Sequence, residues 1–67
     1  MNRIEAITAL AIKMGMDPVD AVALPTVITV AARKVAMSEM ALIAEAMANA
    51  PLQAYLAEVC NTALKAA

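Results

Sequence analysis

The chain predicts an all-α fold, a small bundle of four to five short helices completed by dimerisation. Eighteen of its 67 residues are alanine, the strongest helix former, and they are spread along the whole length. The one β-branched run, Val27-Ile28-Thr29-Val30, has no second strand-like run with which to pair, so helix is the consistent reading there. Cap and stop residues also divide the chain at helical intervals. Residues 1–67 are read as a single helical domain, because 67 residues cannot hold two independent cores.

The elements follow in order. Asn2 and Glu5 form a capping-box pair ahead of Ile4, Ile7, Leu10, Ala11 and Met14, which starts a first helix over Arg3 to Met14. Gly15 suits the positive φ that ends a helix, and Lys13 suits its negative pole. Asp17-Pro18-Val19-Asp20 supplies a cap acceptor, a proline for the first helical position and an acid in the first turn. A short second helix therefore ends before Pro25. Pro25 disfavours helical geometry at Leu24, so Thr26 is expected to cap the third segment. Ser38 either caps a new helix led by Glu39 or lies within one long helix over residues 26–49, and a break or kink is favoured. From Leu52 onward, Tyr55, Leu56, Val59, Cys60, Ala63 and Leu64 follow helical spacing, with Gln53, Glu58, Asn61, Thr62 and Lys65 opposite. That is the most clearly amphipathic helix of the chain.

Composition excludes several functions. The net charge is −1 and no charge run exists. The one adjacent basic pair, Arg33-Lys34, gives little for phosphates to bind, so nucleic acid is disfavoured. The longest uncharged runs, 21–32 and 46–57, each contain a proline and fall short of the roughly 20 residues needed to span a bilayer. Arg3 and Glu5 interrupt the first apolar stretch, so no signal peptide is read, and a cytoplasmic chain without membrane contact is expected. There is no histidine, one cysteine and one glycine. Neither a zinc set, a disulfide within the chain nor a phosphate-cradling loop can be built from them, and no metal or cofactor is expected.

The same residue list argues against an enzyme. Ser38 and Cys60 have no histidine to act as base. Asp17 and Asp20 sit where capping and the helix dipole already require acids, whereas Glu39 and Glu45 are six apart and project from different faces. Cys60, beside the apolar stripe with no cation within a turn, reads as a small buried hydrophobe. The six methionines read first as gap-filling core side chains and second as an adaptable partner surface.

Two resemblances lie on Leu10 to Leu24. An alanine in the first helix, Gly15 four residues after Ala11, and Pro18-Val19-Asp20-Ala21-Val22 in a second helix resemble the core of a helix-turn-helix, which implies DNA binding. The positions where that family places polar readers hold apolar residues and an acid here. Met14-Gly15-Met16, with Ala21 and Leu24, is similar to the first loop of ubiquitin-associated domains, with methionine in place of the usual aromatic. A plain reading covers the same residues: Gly15 ends one helix and Asp17-Pro18 starts the next.

What remains is association. Twenty-five non-alanine apolar residues exceed what 67 residues can enclose, so an apolar face must reach the surface. The expectation is a small interaction or regulatory protein acting as a homodimer, with a heterologous protein partner as a further possibility. Leu52, Tyr55, Leu56, Val59 and Leu64 form the expected core or interface stripe, with Tyr55 as its anchor. The alternative is a small DNA-binding regulator using the 10–24 segment, in which dimerisation would bring two copies of Arg33 and Lys34 onto one face.

Overall fold

A computed structural model describes residues 1–66. Five helices are present among them, in the order α1 (Arg3–Lys13), α2 (Pro18–Ala21), α3 (Leu24–Lys34), α4 (Glu39–Met47) and α5 (Ala50–Ala66), with no strand. The Cα radius of gyration is 10.7 Å, against about 10.9 Å for a compact chain of this length.

The start of α1 follows from its cap. Asn2 accepts from the Glu5 amide at 2.8 Å, and the Glu5 carboxylate accepts from the Asn2 amide at 3.5 Å. The helix closes at Lys13, one residue earlier than expected, with Met14 as cap. Gly15 then turns to φ +66°. Its amide bonds the Ile12 carbonyl and the Met16 amide bonds that of Ala11, both at 3.0 Å, which is a Schellman closure. Met16 folds back onto the core.

A second closure of the same kind ends α3. The Met37 amide bonds the Ala32 carbonyl at 3.0 Å and the Ala36 amide bonds that of Arg33 at 3.3 Å. Here the left-handed position, φ +56°, is held by Ala36 instead of a glycine. Residues 26–49 therefore form two helices with a true break. Ser38 caps the second one, its hydroxyl accepting from the Ala41 amide at 3.1 Å.

Two expectations about the middle of the chain are corrected. Thr26 does not cap α3, which already begins at Leu24 behind a helically turned Ala23. Leu24 is fully buried, and enclosing a leucine stabilises by about 1.5–3 kcal/mol, enough to override the local effect of the proline behind it. Pro25 loses nothing in this first turn, where its missing amide would have had no partner. Asp17 has the extended backbone of a cap, but its carboxylate makes no capping bond to the single turn of α2. Within α3, the Val27–Val30 run is helical, and the Thr29 hydroxyl donates to the Pro25 carbonyl one turn back at 3.1 Å.

Four helices build the core. Ala6, Ile7 and Leu10 of α1 meet Leu24, Val27, Ile28 and Ala32 of α3, joined by Leu42, Ile43 and Ala46 of α4 and by Leu56 and Cys60 of α5. α2 buries no residue. Three alanines among these positions let the helix axes come close.

Candidate functional site

The amphipathic stripe of α5 is positioned by two side chains at its start. The Asn49 side-chain oxygen accepts from the Leu52 amide at 3.0 Å, so the helix begins at Ala50, two residues before the expected Leu52. Gln53 then donates to the Ala46 carbonyl at 2.8 Å, tying α5 to the end of α4. This fixes the rotation of α5. Leu56 and Cys60 are fully buried, Leu52 and Val59 are half-buried against the core, and Leu64 is half-buried.

Tyr55 takes a different direction from its neighbour Leu56. It is 50% exposed and, with Val59 and Ala63, forms one wall of a groove whose other wall is Val30 and Lys34 of α3. The groove holds about 180 Å³. Val30 is also half open to solvent. The expected stripe thus divides: Leu56 belongs to the core, and Tyr55 with Val59 belongs to an apolar surface shared with α3.

Arg33 and Lys34 are both exposed in the last turn of α3. Lys34 borders the Tyr55 groove. The 10–24 segment gives α2 a single turn, whose exposed large apolar side chains are Val19 and, at its cap, Val22. These carry no hydrogen-bond donor for base edges. Met14 and Met16, on either side of Gly15, are half-buried against the core, as the plain helix-end reading has it.

The methionines serve two purposes. Met14, Met16 and Met37 pack against the core. Met1, Met40 and Met47 are exposed around a groove of about 140 Å³ between α1 and α4. A third groove, of about 320 Å³, lies between α1 and the α2–α3 corner.

One polar cluster had no signal in the sequence. Arg3 Nε donates to Glu39 Oε1 at 2.7 Å, and its Nη2 donates to Thr29 Oγ1 at 3.1 Å and to the Pro25 carbonyl at 3.3 Å. Three helices meet through this side chain. Its partners lie 22 to 36 residues away in sequence, so no local spacing could have shown it. Both ends of the ion pair are partly solvated, at 45% and 33% exposure, so it positions α1 against α4 more than it stabilises the fold.

The chemistry of the remaining groups is muted. Burial pushes the Cys60 thiol up from its ordinary value, and the Asp20 carboxylate adds to the effect. A thiol so placed is a poor nucleophile at neutral pH. Among the described residues no three of His, Cys, Asp and Glu gather as a metal set, and no helix is long and apolar enough to cross a membrane. Comparison with protein-family models, with curated proteins and with solved structures finds no match to this chain.

Proposed function

We propose that this is a small non-enzymatic interaction or regulatory protein that works as a helical homodimer through the α3–α5 face. The observation that carries this is the placement of Tyr55. The only aromatic ring of the chain stands half outside the core while Leu56 beside it fills the core. A half-exposed tyrosine flanked by Val30 and Val59 is the arrangement that anchors protein interfaces. Symmetry favours a second copy as its occupant, since two-fold dimers are the commonest soluble oligomers and the same groove would be filled twice. Size favours it too. A single core in a chain of this length seldom supplies more than about 3–5 kcal/mol, and dimerisation adds buried area where a lone cysteine can form no disulfide within the chain.

The test is solution mass by light scattering over a concentration series. The wild type is expected at twice its 6.9 kDa chain mass, and Tyr55→Ala and Val30→Asp at the single mass with helicity kept. Leu56→Ala serves as the contrast, because it opens a cavity costing about 2–5 kcal/mol and should unfold the chain. A wild type of single mass, or a Tyr55→Ala variant still at double mass, would overturn the assignment.

A further inference from the structure

The largest of the three grooves lies away from Tyr55, between α1 and the α2–α3 corner. Ile7 and Ala11 line it along with the exposed α1 row Ile4-Thr8-Ile12, and Pro18 and Ala21 face them from α2. Ile4 and Ile12 are each 74% exposed, a cost in water that a bound apolar group would remove. Arg3, one residue before this row, is the sole charged residue of the lining.

The guanidinium of Arg3 is held in place from one side. Its Nε and Nη2 are engaged by Glu39, Thr29 and Pro25, while Nη1 makes no hydrogen bond among the described residues. A fixed cation with a free donor at the end of an apolar trough is complementary to an apolar chain ending in an anion. The dimensions agree with a short one. From Arg3 to Ile12 an α-helix rises about 14 Å, and an extended carbon chain of ten atoms, advancing about 1.2 Å per bond, covers about 11 Å. A partner helix, about 11 Å across, would seat only a strip of its surface there.

We propose that the α1–α2 groove is a binding site for a medium-chain fatty carboxylate, with the tail along Ile4, Ile7 and Ile12 and the carboxylate at Arg3. Glu39 is then a competitor for the same guanidinium. The two partners of this ion pair should therefore act in opposite directions on ligand affinity, whereas a purely structural pair would not distinguish them. The inference is independent of self-association, since it involves no residue of the Tyr55 groove.

The probe is decanoate, titrated below its micelle onset at neutral pH and followed by isoleucine methyl resonances. Saturable shifts are expected at Ile4, Ile7 and Ile12. Decanoate should bind about two- to fivefold tighter than decanol, the range expected for one partly solvated ion pair. Arg3→Gln should abolish that preference, and Glu39→Gln should tighten decanoate by a similar factor while leaving decanol unchanged. Ile12→Asp should remove binding of both. Were Arg3→Gln to unfold, the decanoate-to-decanol ratio of the wild type and of Glu39→Gln would still decide. The proposal is overturned by an absence of saturation, by equal binding of decanol, by weaker decanoate binding in Glu39→Gln, or by shifts centred on Tyr55 and Val59 instead. It is also overturned if Ile12→Asp halves the solution mass and the wild type binds no decanoate, which would make a second copy the occupant.

Discussion

Replacing Ala36 with glycine should make the protein more stable, an unusual expectation for a glycine introduced next to a helix. Ala36 closes α3 at φ +56°, in the left-handed region where a β-carbon crowds the following carbonyl and costs about 1–2 kcal/mol. Glycine removes that cost but gives back about 0.5–1 kcal/mol through the greater freedom of the unfolded chain. The difference leaves a gain of about 0.5–1 kcal/mol. Because 1 kcal/mol moves the midpoint of a domain this small by about 4–8 °C, the melting temperature should rise by about 2–8 °C. Ala36 is exposed, so no packing contact is lost to blur the reading.

Gly15 provides the mirror experiment within the same molecule. It closes α1 at φ +66°, and a β-carbon built there would meet nothing within 4 Å. Gly15→Ala therefore isolates backbone strain and should cost about what Ala36→Gly returns. The double variant should match the wild type in stability to within about 0.5 kcal/mol, since the two sites close different helices. Far-ultraviolet circular dichroism at one fixed protein concentration reads all four proteins. A lower melting temperature for Ala36→Gly would refute the reasoning, and so would a neutral Gly15→Ala.

Two further predictions concern capping and pH. Asn49→Ala should cost about 1 kcal/mol in a urea titration, because it removes the oxygen that accepts from the Leu52 amide, whereas Asp17→Ala, which removes no capping bond, should stay within about 0.5 kcal/mol. The Cys60 thiol is raised above its unfolded value of 9.0 by burial and by Asp20, so the unfolded chain loses this proton first as pH rises. Its contribution is intact below pH 9 and is lost progressively above it. Cys60→Ala should flatten the alkaline fall in a series of melts, and a fall of unchanged steepness would assign it to other groups.

The parts of the fold that were legible in the sequence are those set by neighbours within four residues. Asn2 and Glu5 make both bonds of their box, Gly15 takes the positive φ, and Ser38 caps the helix that it could equally have sat inside. Each of these is decided by a side chain reaching the backbone of its own turn. The places where local reading failed are those where burial outbids a local preference. Leu24 is helical although a proline follows it, because the core takes its side chain. Ala36 occupies a left-handed position that alanine gives no sign of accepting, because the Schellman bonds and the return of Met37 to the core demand a turn there.

The candidate surfaces show the same division more sharply. Helical spacing put Tyr55 and Leu56 on one stripe, and adjacent residues on a helix differ by about 100°. A stripe that wide can face the core on one side and a groove on the other. Which residue takes which is settled by the rotation of α5, fixed here by Asn49 and Gln53 against the end of α4. Arg3 is the extreme case. On α1 alone it is one exposed cation in a first turn, where the dipole favours an acid. Only the meeting of three helices gives it Glu39, Thr29 and the Pro25 carbonyl as partners, and so turns a locally unfavourable charge into a fixed one at the mouth of an apolar groove. A position that contradicts its local environment while satisfying a distant one is where this chain departs from helix rules, and it coincides with the site proposed to bind a ligand.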